Sequence, residues 1–265
     1  MTDTKASTPA VDLPLAVSEM WAALRPLTAA RIGLPRTGAS LATPALLDFR
    51  LAHARARDAV GATLDADALT AELAQLGATS VLCRSAATDR RSYLMRPDLG
   101  RQLDDESLAL LQSSPSPGGL AIVLADGLSA QATQRHALPV LRGLLPLLQA
   151  QGWALGRIVL LHHGRVAAGD AVARCLQAEA VLVLIGERPG LSSPDSLSAY
   201  LTWAPGAGTS DADRNCVSNI RPEGLAPSAA AAKIAWLLDQ MRLQKRSGVA
   251  LKDDMEQNLP RVPDR

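Results

Sequence analysis

The chain has 265 residues, 48% of them hydrophobic, and a formal net charge of +1 at pH 7. This length and composition suffice for a sizeable core in one large domain or two small ones. The small net charge argues against a nucleic acid or a membrane surface as a partner bound by bulk electrostatics. Three widely spaced cysteines without a Cys-x-x-Cys pair fit a reduced cytosolic setting. We expect a cytoplasmic protein, because the sequence shows no apolar run of membrane-spanning length and no secretory signal.

The first part of the chain is predicted to be helical. Residues 1–15 are rich in small and polar side chains and are expected to be disordered. Across residues 16–110, helices are predicted from Val17, from the Thr43-Pro44 pair and from Asp65, because apolar residues recur there at helical spacing behind start signals. No strand pattern interrupts these helices before Leu76.

Short β-like runs alternate with helical segments in the rest of the chain. The runs are residues 80–82, 120–124, 157–161, 180–185, 197–203 and 248–251, and the helices between them include residues 129–150, 168–178 and 227–246. This alternation predicts an α/β fold with a parallel sheet and helices on both faces. We therefore predict a Rossmann-like domain at residues 118–252, separated from the helical region by the linker at 113–119, and a polar tail at 253–265.

Polar or glycine-containing loops follow four of the apolar runs, after Leu124, Leu161, Ile185 and Leu251. Because parallel strands end at one edge of a sheet, these loops are expected to form a single rim, which is the predicted binding site. The loop at residues 185–196 carries carboxylate, guanidinium and hydroxyl groups and therefore suits a polar ligand.

The common signatures of other sites are missing from this rim. No Gly-x-Gly-x-x-Gly follows a strand, and no Walker phosphate loop or Gly-x-Ser-x-Gly elbow occurs. His162 and His163 are adjacent, so on an extended chain they point to opposite faces, and no metal site is predicted. Cys216, in a polar segment after a strand, would act as a nucleophile only with a basic partner. A stand-alone nucleotide-binding module and a Cys216-dependent enzyme both stay open at this point.

Five segments together carry a resemblance to a known family. They are residues 31–38, 47–58, 125–130, 185–196 and 214–224. In this order, between about Trp21 and about Lys252, they resemble the small subunit of ethanolamine ammonia-lyase. The resemblance implies a Rossmann-like domain that lies over one side of adenosylcobalamin, while a large TIM-barrel subunit holds the substrate and the radical chemistry.

The resemblance also implies which residues contact the cofactor. The cofactor-contacting positions of the family correspond to Val166, Glu187 and Cys216. The spacing from Val166 to Glu187 agrees with the family, whereas the segment before Cys216 is slightly short, so that Cys216 is matched through the motif at residues 215–220. Arg188, Ser192 and Ser193 are candidates for the phosphate of the cofactor. No catalytic residue and no metal ligand are expected in this subunit.

Two further expectations follow from the resemblance. Many cobalamin-binding Rossmann domains carry an Asp-x-His-x-x-Gly motif, whose histidine replaces the cofactor's own base on cobalt. This chain lacks the motif, so adenosylcobalamin is expected to be bound base-on. Many relatives are enclosed in a bacterial microcompartment, and the sequence leaves open whether this protein is enclosed in one.

Overall fold

The computed structural model describes residues 15–114, 118–186 and 189–255. Most of the N-terminal segment for which disorder was predicted and most of the predicted polar tail lie outside these ranges. Among the described residues, no helix has both the length and the apolar character that crossing a membrane requires.

The N-terminal region contains the three predicted helices. They are α1 (Leu15–Leu24), α2 (Thr43–Gly61) and α3 (Ala66–Gln75). Helix α2 begins at the predicted Thr43-Pro44 pair, and α3 begins after Asp65, whose carboxylate accepts a hydrogen bond of 2.9 Å from the Ala68 backbone N–H. The expectation that no strand interrupts this region is wrong. Strands β1 (Arg36–Thr37) and β2 (Ser40–Leu41) form a short antiparallel pair that turns at Gly38, which has a φ of 61°.

A six-stranded sheet forms the centre of the protein. Its strands lie in the order β3, β5, β4, β6, β7, β8, with the first four parallel and the last two antiparallel to their neighbours. The α/β class is confirmed, and the prediction of a parallel sheet holds for four of the six strands. The elements are β3 (Ser80–Arg84), α4 (Arg90–Met95), α5 (Asp105–Gln112), β4 (Leu120–Ala125), α6 (Ala130–Ala150), β5 (Ile158–His162), α7 (Ala168–Cys175), β6 (Ala180–Gly186), β7 (Leu197–Trp203), β8 (Arg214–Ile220) and α8 (Pro227–Gln244).

Two predictions near the C-terminus are wrong. The segment that carries Cys216 is strand β8 rather than a polar loop, and the predicted strand at residues 248–251 is a 3-10 turn. Gly248 has a φ of 68°, which an extended strand does not allow. The side chain of Asn215 fixes this turn by accepting from the Gly248 N–H at 2.7 Å and donating to the Leu251 carbonyl at 3.0 Å.

Helices cover both faces of the sheet, as predicted. Helices α6 and α8 pack on one face through a large aliphatic core, and α5 and α7 pack on the other through a smaller one. The edge strand β3 comes from the region before residue 110, so the sheet draws on both predicted segments. The domain boundary itself stays a prediction.

Candidate functional site

Strands β7 and β8 present a polar surface on the α7 side of the sheet. Side chains alternate between the faces of a strand. On one face of these two strands, apolar side chains belong to the core beneath α6 and α8. They are Leu197, Ala199, Leu201, Val217 and Ile220. Side chains on the opposite side form what we call the polar face, which consists of Ser198, Tyr200, Thr202, Arg214, Cys216 and Ser218, with Ser198, Thr202 and Arg214 buried. An antiparallel pair at the edge of a sheet can pack one face on the core and leave the other face accessible to a ligand or a partner.

Cys216 is an exposed residue of this polar face. It lies directly opposite Tyr200 in the antiparallel pair β7–β8. Beside it is an open depression of about 420 Å³, which we call the Cys216 hollow. Its lining consists of Ser193, Ser196, Ser198, Tyr200, Cys216, Ser218 and Asn219. Hydroxyl and amide groups dominate this lining.

Val166 lies in the turn between β5 and α7, half-buried against the smaller core. A second open depression of about 280 Å³ adjoins it, and we call this the Val166 hollow. It is lined by Tyr93, Arg101, Leu128, Arg165, Val166, Ala167, Ile185, Tyr200 and Asp211. Because Tyr200 lines both hollows, Val166 and Cys216 lie on adjoining parts of one surface.

The Val166 hollow occupies the usual ligand position of an open α/β sheet. Strand β4 has β5 on one side and β6 on the other, so the direction in which strands are added reverses there. Leu128 follows β4 and Ile185 is near the end of β6, and both line the hollow. Crevices at the carboxyl ends of strands beside such a reversal bind ligands in many α/β proteins.

A buried carboxylate holds two of the predicted rim loops together. Asp126, which follows β4, accepts hydrogen bonds from the backbone N–H groups of His163 at 2.9 Å and Gly164 at 3.2 Å. His163 itself has a φ of 54°, and its Nδ1 lies 3.1 Å from the Ala87 carbonyl oxygen. The turn that leads to Val166 is therefore fixed by two side chains, those of Asp126 and His163.

Tyr93 contributes an aromatic wall that the sequence analysis missed. The guanidinium groups of Arg90 and Arg165 lie 4.8 and 4.6 Å from the centre of its ring, within the range of cation–π attraction. Arg90 also donates to the carbonyl oxygens of Gly127 at 2.6 Å and Val60 at 2.8 Å, linking the rim to the end of α2. Arg90 and Tyr93 are neighbours on α4, but Arg165 joins them only in the folded chain, so the complete group leaves no local pattern.

Glu187 and Arg188 lie outside the described residues, but the residue before them is described. The Gly186 carbonyl accepts from the backbone N–H groups of Leu128 at 2.7 Å and Ser129 at 3.0 Å. A Cβ at Gly186 would collide with the Ser129 carbonyl oxygen, and a Cβ at Gly127 would collide with that of Gly186. The two glycines therefore allow the end of β6 to lie against the start of α6.

The segment after Glu187 is anchored as well. Ser129 Oγ donates to the Pro194 carbonyl at 2.9 Å, and Asp195 lies 3.0 Å from Arg135 Nη1 and 3.4 Å from His136 Nε2. Burial alone would raise the pKa of the Asp195 carboxyl, but the hydrogen bond from Arg135 and the proximity of His136 outweigh it and hold the pKa below its usual value. Ser193 lines the Cys216 hollow, while the Ser192 carbonyl accepts from Arg221 at 3.2 Å.

The remaining titratable groups give no sign of a metal centre or of a reactive thiol elsewhere. Within residues 15–114, 118–186 and 189–255, no three His, Cys, Asp or Glu side chains come together as metal ligands. Burial raises the pKa of the Cys83 thiol to about 11 and also raises that of Cys175, which disfavours the nucleophilic thiolate at both positions.

Known proteins resemble this chain over most of its length. A sequence model of the family described as ethanolamine ammonia-lyase light chain matches residues 18–252. The ethanolamine ammonia-lyase small subunit of Xanthomonas campestris pv. campestris (strain B100) is 53% identical, with 91% of this chain and 90% of that protein covered. The small subunits of Pseudomonas syringae pv. tomato and Bradyrhizobium diazoefficiens are 51% and 54% identical, each over 90% of this chain and over 84% and 92% of their own lengths. The chain therefore belongs to the family of ethanolamine ammonia-lyase small subunits.

Proposed function

We propose that this chain is the small subunit of an adenosylcobalamin-dependent ethanolamine ammonia-lyase, which converts ethanolamine to acetaldehyde and ammonia. The observation that carries the proposal is the adjacency of Val166 and Cys216 around Tyr200. Two positions that the family uses for its cofactor, far apart in the sequence, line adjoining hollows of one surface. Glu187 follows directly after β6, whose Ile185 lines the Val166 hollow, and we assign it to the same contact set.

The chemistry of the lining fits adenosylcobalamin. The cofactor presents a ring of neutral amide arms and one phosphate, so it needs both hydrogen-bond acceptors and donors around it. The two hollows offer serine hydroxyls, the Asp211 carboxylate, and the guanidinium groups of Arg101 and Arg165. The buried Nε of Arg165 has no hydrogen-bond partner among the described residues, which favours an acceptor from outside the chain.

Both hollows are open, so this chain provides one side of the binding site. We propose that a large TIM-barrel subunit provides the other side and carries the substrate-binding residues. When bound, the cofactor supplies the adenosyl radical that starts the reaction. The residues of this chain bind the cofactor, orient it and exclude water, and none of them is a catalytic residue in this proposal.

We further propose that the cofactor is bound base-on and that the complex works in the cytoplasm. His163 is close to Val166 in sequence, but its Nδ1 lies 3.1 Å from the Ala87 carbonyl oxygen, and Leu161 stands where the Asp-x-His-x-x-Gly motif of other cobalamin-binding Rossmann domains has its aspartate. Enclosure in a bacterial microcompartment is open to a direct test, because shell proteins would then co-purify with the complex.

Two other functions compete with this proposal. A nucleotide-binding module would use the same rim, but the Gly-rich phosphate loop is missing from the sequence. A Cys216-dependent enzyme would use the exposed thiol of the polar face as its nucleophile.

The proposal is tested by co-expressing this chain, carrying an affinity tag, with a large subunit of the family. The purified complex should contain both chains, show corrinoid absorbance after incubation with adenosylcobalamin, and form acetaldehyde from ethanolamine. Omission of either chain should abolish turnover. A complex that assembles but neither retains the corrinoid nor turns over ethanolamine would refute the assignment.

A further inference from the structure

Arg214 is the buried cation of the polar face. Its side chain is only 2% exposed, and that of its partner Asp170 is 7% exposed. The two terminal nitrogens of Arg214 donate to the two carboxylate oxygens of Asp170, each at 2.7 Å. This is the bidentate arrangement that the planar guanidinium makes with a carboxylate, and it restrains orientation as well as distance.

The same guanidinium reaches two further elements. Its Nη1 donates to Thr202 Oγ1 at 3.1 Å, and its Nε lies 3.5 Å from a carboxylate oxygen of Asp211. Arg214 is in β8, Asp170 in α7, Thr202 in β7, and Asp211 in the 3-10 turn that precedes β8. One side chain therefore joins four elements.

Three of these elements line the hollows, and the fourth, α7, directly follows a turn that does. Asp170 is in the first turn of α7, directly after the turn that carries Val166. Thr202 is on the same side of β7 as Tyr200, and Arg214 is on the same side of β8 as Cys216, because side chains two residues apart share a face. Asp211 lines the Val166 hollow itself. The ion pair thus lies at the junction between the Val166 wall and the Cys216 wall.

Stability does not explain why a buried ion pair is placed here. Removing two charges from water costs about as much as their attraction returns, and well-packed apolar replacements are often neutral or stabilising. What an apolar pair cannot reproduce is the fixed angle and separation that two parallel hydrogen bonds impose.

We propose that Arg214 is a positioning residue that, together with Asp170, holds the Val166 and Cys216 walls in the relative geometry that adenosylcobalamin requires. The inference rests on the proposed function, because it takes these walls as the cofactor surface. Arg214 itself lies beneath the surface and acts through its neighbours.

The test separates positioning from stability by using paired substitutions. In the complex with the large subunit, Arg214→Met and Asp170→Leu should each lower the melting temperature, because each leaves one buried charge without its partner. The double variant Arg214→Met/Asp170→Leu removes both charges and should regain most of that stability. Its dissociation constant for adenosylcobalamin should nevertheless rise by about tenfold or more, while turnover at saturating cofactor stays close to that of the wild type.

A second variant keeps the proposal testable if the double variant does not fold. Arg214→Lys preserves the charge but replaces the fork with a single ammonium group, so it should lower the melting temperature less than Arg214→Met does and still bind the cofactor more weakly. The matched control is the double variant Lys233→Met/Asp253→Leu. It removes an ion pair of 2.6 Å that involves α8, on the other side of the sheet, and should leave the dissociation constant unchanged.

The outcomes distinguish this inference from the proposed function. Wild-type affinity for adenosylcobalamin in the Arg214→Met/Asp170→Leu and Arg214→Lys complexes would overturn the positioning role and leave the proposed function intact. A wild-type complex that does not bind adenosylcobalamin would overturn the proposed function and, with it, this inference.

Discussion

At the scale of single residues, Glu187 offers a direct measurement of the proposed cofactor contact. A charged acceptor bonded to an amide of the ligand contributes about 1.5 to 3 kcal/mol. Glu187→Ala should therefore raise the dissociation constant of adenosylcobalamin by about one to two decades while the complex still assembles. Glu179→Ala is the matched control, because Glu179 is an exposed carboxylate just before the opposite end of β6. Equal affinities of the two variants would show that Glu187 is an ordinary surface carboxylate.

Cys216 separates the proposed binding role from the alternative of a cysteine enzyme. Cys216→Ser keeps the size of the side chain but replaces the thiolate-forming sulfur with a much poorer nucleophile. A residue that only lines the cofactor surface should retain most of the turnover at saturating adenosylcobalamin, whereas a covalent catalyst should lose nearly all of it. We expect retention, measured as acetaldehyde formation by the reconstituted complex. Near-total loss of turnover with assembly intact would favour the cysteine enzyme.

The thiols also report whether the polar face is covered. Cys216 is exposed, whereas Cys83 is buried and its pKa is raised to about 11, so at pH 8 much less of it is thiolate than of an ordinary thiol. In the isolated chain, iodoacetamide should modify Cys216 well before Cys83. Binding of the large subunit and adenosylcobalamin should slow the modification of Cys216 at least about tenfold. An unchanged rate at Cys216, measured by mass spectrometry of peptides, would place the cofactor surface elsewhere.

At the scale of elements, the contact between β6 and α6 depends on Gly186. An added methyl group would meet the Ser129 carbonyl oxygen and push the end of β6 away from α6. Gly186→Ala should destabilise the chain by about 1–3 kcal/mol through overpacking. It should also weaken cofactor binding, since Glu187 is the next residue. Gly208→Ala is the control, because nothing lies within 4 Å of a Cβ there. Similar melting temperatures for the two variants would contradict the close contact.

How far each element was predictable depends on how many of its faces are buried. Strands β4 and β6 are buried throughout and carry continuous apolar runs, so the sequence alone located them and the loops that follow. Strand β8 was missed because only one of its faces is apolar and because it begins with Arg214, whose charge is matched by Asp170, far away in the sequence. A strand was wrongly predicted at residues 248–251 because the segment is apolar. Its Val249 is in fact 85% exposed in a turn.

Only the part of the candidate site that follows buried strands was predictable from the sequence. The apolar runs placed the loops of Val166 and Glu187 at one edge of the sheet, and the family resemblance supplied their proposed role. The polar face could not be foreseen, because it depends on the antiparallel pairing that sets Tyr200 opposite Cys216. The contact of Arg165 with Tyr93 likewise depends on the tertiary fold and leaves no periodic pattern in the sequence.

At the scale of the whole molecule, the openness of the two hollows determines what the chain can do alone. A radical intermediate needs a site that excludes water and other reactants. In the proposed function, the two open hollows contact one side of the cofactor, and the large subunit carries the substrate-binding residues. This chain should therefore depend on its partner for every step after cofactor binding.

The isolated chain, supplied with adenosylcobalamin and ethanolamine, should accordingly form no acetaldehyde above the background of the free cofactor. Addition of the large subunit should start turnover, and the rate should saturate when the partner chains reach their assembly ratio. The measurement is a titration of one chain with the other at fixed cofactor, followed by acetaldehyde detection, with the large subunit alone as the control. Ethanolamine turnover by this chain alone would place substrate-binding and catalytic residues within it and would overturn the division of roles between the two subunits.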